Sequence, residues 1–360
     1  MRKISILSLI VLMSLGLAVA CAPQETPVEE AAVKEVMEEP DVEQPSAEEE
    51  AQVETVESTP LRVVFLLPQT MSPFEIDMWD GIDQAKTDGY ASEIKMIEMK
   101  EPTEFEQTIR QVSEEGYDVV VSAFFLVKES ILKVAPDFPD TKYLMVYEAV
   151  PEPVTDYPNV QGILYDVQEG SYVCGVAAAH MSEAGQVGFI GGADFPGIVK
   201  FLAGYEAGII SVNPDFQIDI AWAGTFIDPA KGHEMGLALF ERGDDVVMHA
   251  ANKTGLGLFV AAEEEGKFAV GVDVDQTALA PANIICSALT NPGASVYKSI
   301  SDITMGNWSA GTVDWGVDDG QPSAALNKLL LSEEALSAAL EAEAQIASGD
   351  IEVPLSTETR

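Results

Sequence analysis

Few residues in this chain are of types and spacings that carry reactions. His180, His233 and His249 are its only histidines, and no H-E-x-x-H, G-x-S-x-G or Cys/His metal spacing occurs. The most suggestive stretch is VGFIGGADFPGIVKFLAGYEAG, Val187 to Gly208. An apolar run ends in Gly191 and Gly192 and an amphipathic segment follows, the outline of a strand, a loop and a helix start. Backbone amides in such a loop often cradle phosphate. The dinucleotide fingerprint G-x-G-x-x-G is absent, however, because the two glycines are adjacent. The next charge is Asp194, which would repel a pyrophosphate. No G-x-x-x-x-G-K-[ST] occurs either. The glycine pair therefore reads as a tight turn with close backbone approach, and Gly204 and Gly208 as one contact face of the helix. His249, closing the strand VVMH, reads as a hydrogen-bonded structural residue. No catalytic set, metal site or cofactor site is assigned, and the chain is read as a binding protein rather than an enzyme.

The elements that must position any site are legible from Leu61 onward. LRVVFLL, EIKMIEM, YDVVVSAFF and KYLMVYEAV read as strands, alternating with the helices FEIDMWDGIDQAKTD, PTEFEQTIRQVSEEG and KESILKVAPDFP. The alternation then starts afresh. EGSYVCGVAAAHMSEAG, FPGIVKFLAGYEAGIISV, DPAKGHEMGLALFERG and TGLGLFVAAEEEG are helical, between the strands QVGFIGG, QIDIAWAG, DDVVMHAA, KFAVGVD and NIICSAL; the helix PGASVYKSISDITMG follows. Strands alternating with helices predict parallel sheets covered on both faces, and two such runs predict two lobes with a cleft. Ligands sit beyond the carboxyl ends of such strands. The positions of interest therefore follow Leu67, Ser122, Tyr147, Gly191, Gly224, His249 and Val272.

The chain has 360 residues, 60 acidic and 19 basic, for a formal charge of −41. That field disfavours nucleic acid and anionic lipid as partners. The excess acid reads as a solvated surface, with adaptation to salt as the alternative. Residues 1–20 have a basic start, an apolar run and small residues before Cys21, the form of a secretory leader. Residues 21–60 are rich in Glu and Pro without an aromatic, and read as a disordered, self-repelling tether. Cys174 and Cys286 read as two separate buried thiols, with a disulfide as the alternative.

Three stretches resemble the basic membrane protein (BMP) family of ABC-transporter solute-binding lipoproteins: EGSYVCGVAAAHMSEAGQVGFIGGADFPGIVKFLAGYEAG, DDVVMHAANKTGLGLFVAAEEEGKFAVGVDVDQ and PANIICSALTNPGASVYKSI. LAVAC likewise resembles a lipobox, which implies lipidation at Cys21. The resemblance implies an α/β fold of the type I periplasmic-binding kind, two doubly wound parallel-sheet lobes with three hinge crossovers. It places the first lobe at 61–165 plus about 290–312, the second at 166–289 plus about 313–345, and a tail at 346–360. The implied function is capture of a small flat solute, a purine nucleoside first, at the extracytoplasmic face of the membrane. The implied partner is an ABC permease. A different heterocycle such as a flavin, a sensory receptor of the same fold, and an extracellular nucleoside hydrolase are the alternatives.

The same resemblance implies the binding residues. Phe74 and Phe226 match the aromatics that sandwich a base, one from each lobe. Asp273 matches the aspartate that grips ribose hydroxyls. Glu148 stands near a strand-end aspartate of the family, and Asn252 where a glycine is frequent. Trp79, a helical turn beyond Phe74, is a further candidate with core packing as its alternative. The chain also departs from the pattern. Pro68 stands in place of the first aspartate, Met71 and Glu75 replace the aspartate and asparagine of D-x-S-F-N, and Thr290 replaces a lysine. Loss of those polar partners implies weaker recognition of ribose and base edges.

Overall fold

The computed structural model describes residues 59–68, 71–317 and 323–357. The leader, Cys21 and nearly all of the acidic stretch lie outside the described residues. Among the described residues, no helix is long and apolar enough to cross a membrane.

The first sheet is built from β1 (Leu61–Leu67), β2 (Ala91–Glu98), β3 (Val119–Ala123), β4 (Lys142–Val146) and β5 (Val160–Tyr165). Between them run α1 (Pro73–Thr87), α2 (Phe105–Glu114) and α3 (Phe125–Val134). The chain then crosses to a second unit of α4 (Val167–Met181), β6 (Gln186–Gly191), α5 (Pro196–Val212), β7 (Gln217–Trp222), α6 (Pro229–Arg242), β8 (Val246–Ala250), α7 (Asn252–Glu265), β9 (Phe268–Asp273) and β10 (Ile284–Leu289). It returns as α8 (Pro292–Met305), against α1, and β11 (Gly311–Trp315), beside β5. A third crossing leads to β12 (Ala324–Leu326) and α9 (Glu333–Ala347), which packs on α4. The strand orders are β11-β5-β4-β3-β1-β2 and β12-β10-β9-β8-β6-β7. Every pairing is parallel except β10 with β12. We take each sheet with its helices as one lobe; β5, β11, β12 and α9 join the elements read from sequence.

Sequence alternation decides how the strands pack. In β1, Val63, Phe65 and Leu67 point into one core and Val64 and Leu66 into another. That is the two-residue period of a strand with both faces covered. In α2, Phe105, Ile109 and Val112 repeat at helical spacing and are its buried stripe. The largest core runs without a break from the first sheet through α4 and α5 to the second. Cys174 and Cys286 lie in it, both free. They are buried and unbonded, as expected, and lie close together: burial first, and then the neighbouring Cys286 thiol, push the Cys174 thiol well above its ordinary range.

α4 and α5 meet through glycines. A Cβ on Gly204 or Gly208 would run into the carbonyls of Gln168 and Tyr172, and one on Gly175 into that of Tyr205. Gly208→Val should therefore force the helices apart and lower the melting temperature by about 4–8 °C, measured by calorimetry. An unchanged melting temperature would refute the close contact.

Just before the amino end of β8, Asp244 is fully buried and its carboxylate oxygens meet no donor. Burial, then the charge of Asp219, push its pKa up to about 7. The folded chain keeps this proton up to about pH 7, while the unfolded chain releases it near 4. Stability from this group is therefore greatest at low pH and falls as pH rises between those values. Asp244→Asn should flatten that fall in a series of melts from pH 5 to 7.5. Equal slopes for the two proteins would reject the assignment.

Candidate ligand-binding cleft

The carboxyl ends of strands from both sheets face one cleft of about 840 Å³, partly open to solvent. The first lobe contributes Phe124, Leu126, Tyr147 and Glu148, and the second Phe195, Ile198, Phe201, Phe226, Asn252, Val272 and Asp273. Four of these are non-glycine residues in left-handed backbone: Phe124 (φ 69°), Tyr147 (66°), Asn252 (47°) and Asp273 (71°). Among the described residues only Asn291 shares that conformation. Each lies at or just past the end of β3, β4, β8 or β9. Such conformations are disfavoured for residues bearing a Cβ and gather where function fixes a side chain.

The first-lobe wall is aromatic. The Phe124 and Tyr147 rings lie 6.0 Å apart and 13° from parallel. Phe74 backs both, at 5.2 Å and 5.3 Å. It is only 2% exposed and lines a small adjoining recess with Ser72, His249 and Gln276. Tyr165 meets Tyr147 edge-on at 4.9 Å. Across the cleft, Phe226 and Phe195 meet edge to face at 6.1 Å. The glycine loop explains the pose of Phe226: any Cβ on Gly192 would strike its ring, and one on Gly191 would strike Trp222. The close approach expected of the glycine pair is thus to aromatic rings.

Polar groups are few, and the two carboxyl groups are already engaged. The Tyr147 hydroxyl donates to Asp273 Oδ1 at 2.7 Å, across the two lobes. Burial, opposed by this bond and aided by the charge of Glu75, raises the Asp273 carboxyl to about 7. Burial and Asp273 hold the Tyr147 phenol well above its usual range, so it stays a donor. Glu148 accepts from Lys128 Nζ at 2.8 Å, which offsets its charge. Asn252 faces the cleft, with Oδ1 buried and unpartnered. Among the described residues no lysine or arginine lines the cleft, and Lys128 beside it is paired with Glu148.

Other expected residues fall elsewhere. Glu75 accepts from the backbone N–H of Ser72 at 2.8 Å and from its hydroxyl, closing a capping box at the start of α1. It is buried and does not line the cleft. Trp79 is partly buried against the main core. Thr290 lies where the chain crosses back, in a small recess with Asp166, Glu169 and Trp315, and its N–H donates to the Asp273 carbonyl at 2.9 Å. Asp275 accepts from the N–H and hydroxyl of Thr277, a local turn. His249 is fully buried, bonds Gln276 Oε1 at 3.1 Å, and is held neutral by burial, which lowers it to about 4. Phe124, Tyr147, Phe195 and Phe201 were not singled out from the sequence. The strand-end rule reaches Phe124 and Phe195, which follow β3 and β6. Tyr147 escaped because the strand reading extended past Val146, where the backbone turns.

Comparison with known proteins agrees with this architecture. A crystal structure of an ABC transporter solute-binding protein from Aeropyrum pernix superposes with a TM-score of 0.73, over 83% of this chain and 94% of that one, at 24% identity. This likeness fixes the fold as the type I periplasmic-binding kind. An "ABC transporter nucleoside-binding protein BmpA" of Lactococcus lactis is 27% identical over 311 residues, covering 78% of this chain and 84% of the relative. A "CD4+ T-cell-stimulating antigen" of Listeria monocytogenes matches at the same identity and coverage. Residues 62–357 match the model of one family, described as "ABC transporter substrate-binding protein PnrA-like". The chain belongs to this Bmp family of substrate-binding proteins of ABC transporters.

Proposed function

We propose that the cleft captures a flat, uncharged solute of the purine nucleoside class outside the cell and presents it to an ABC permease. The observation that carries this reading is the aromatic lining from both lobes, Phe124 and Tyr147 with Phe226 and Phe195, beside the carboxyl groups of Asp273 and the ion-paired Glu148. Stacking suits any flat heterocycle and is worth about 1–3 kcal/mol per base. Phe226 is the second-lobe stacking residue, and Phe74 supports the opposite wall from behind. Asp273 accepts a hydrogen bond from the ligand, and Asn252 and Glu148 meet its edges. The nucleoside in the lactococcal relative's name supports the class. The apolar lining and the absence of a cleft cation favour a neutral ligand over a nucleotide. They also suit another flat ring, such as a flavin, as the second reading.

Closure of two lobes would bury most of such a ligand. Lipid on Cys21 would hold the receptor at the membrane and raise its effective concentration at the permease.

Native mass spectrometry of protein purified from its host, with a thermal-shift panel of nucleosides, bases and flavins, tests the ligand class. Phe226→Ala should weaken binding of the retained ligand by roughly 5- to 150-fold in calorimetry, the stacking range above, with little change in melting temperature. Intact affinity would reject the stacking role. Cys21→Ser should move the folded protein from the membrane to the soluble fraction. Continued sedimentation with membranes would exclude the lipid anchor.

A further inference from the structure

We infer that Tyr147 determines specificity in the cleft: by donating to Asp273 it occupies one arm of the carboxylate, so the site selects a planar uncharged ring and does not require a vicinal diol. This deepens the purine reading above and rests on it. A carboxylate grips two hydroxyls by offering both oxygens in a fork. Here Oδ1 already accepts the Tyr147 phenol at 2.7 Å. Thr290 holds the Asp273 backbone in place, its N–H and its hydroxyl both donating to the Asp273 carbonyl, at 2.9 Å and 3.3 Å. Oδ2 stays open, but Oδ1 is already shared with the phenol, so a ligand diol meets a fork with one arm partly taken.

Tyr147 is built to hold this place. Its backbone is left-handed at φ 66°, in the first position after β4, and Asp273 is left-handed at φ 71° at the end of β9. Two disfavoured turns thus bring one pair of side chains together across the cleft. The ring is fixed by Phe74 behind it, Phe124 beside it and Tyr165 edge-on. The phenol donates because burial and the neighbouring carboxylate keep it protonated. The charged and titratable groups around Asp273 are Glu75 and Asp77 on α1, Tyr147 and Tyr165 from the first sheet, and His249 in the adjoining recess, which burial keeps neutral. None is a cation that would compete for the carboxylate. Tyr147 is therefore a positioning residue acting through Asp273 as well as part of the aromatic wall.

The experiment is calorimetry on the full chain with inosine, 2′-deoxyinosine, 2′,3′-dideoxyinosine and hypoxanthine. Alongside it, the Asp273 carboxyl is titrated by carbon-13 NMR, its resonance assigned with Asp273→Asn. Both are run on the wild type and on Tyr147→Phe, which keeps the ring and so the wall, with the calorimetry at a pH above both Asp273 midpoints so that the carboxylate is charged. A site that reads hydroxyls rejects analogues lacking them by orders of magnitude, so the wild type should bind the three nucleosides within about threefold. With its second arm freed, Tyr147→Phe should prefer inosine over the dideoxy analogue by roughly tenfold or more. The Asp273 midpoint should move up in the variant, because the phenol donates to the charged form. A wild type that loses tenfold or more on removal of the hydroxyls overturns the inference, and so does a midpoint that Tyr147→Phe leaves in place. No heat with any of the four probes, beside a midpoint that still moves, overturns the purine reading while supporting the Tyr147–Asp273 pairing.

Discussion

The cleft depends on how its parallel strands end. A strand that simply ran on would carry its side chains alternately up and down past the sheet edge. Here β3, β4, β8 and β9 end in or beside left-handed residues that bear side chains, and the backbone turns Phe124, Tyr147, Asn252 and Asp273 toward one space. Each such turn is disfavoured by about 1–2 kcal/mol, which the surrounding packing must offset. The unbroken core that runs from one sheet to the other through α4 and α5 supplies that packing. The rigid parts of the molecule thereby sustain strained turns where a ligand would lie.

Much of the scaffold was legible in the sequence because buried parallel strands read as short apolar runs. LRVVFLL needs no partner to be recognised as a strand covered on both faces. Shorter or half-exposed pieces were not legible: β12 has three residues, and β11 alternates without a strong apolar run. The site was legible where type and place coincide. Phe226 and Asp273 were found, and both line the cleft. Tyr147 and Phe124 were not, because nothing in a sequence marks a tyrosine or phenylalanine as left-handed.

Glu75 illustrates the opposite error. Its spacing from Ser72 is the S-x-x-E pattern of a helix start, and that local bond holds the carboxylate. A charged residue beside a candidate aromatic was given to the ligand when its own helix had the prior claim. Yet Glu75 is not inert: its charge contributes to raising the Asp273 carboxyl. The start of α1 therefore influences the cleft electrostatically.

The seat of Phe226 on Gly192 reaches beyond this one chain. The two positions are locked together by volume: a residue with any side chain at 192 excludes an aromatic ring in this pose at 226. Reading position 192 in a related sequence thus reveals whether the second half of the aromatic clamp is available, before its partner is inspected. A glycine doublet that mimics a phosphate loop is, in this setting, the imprint of a ring.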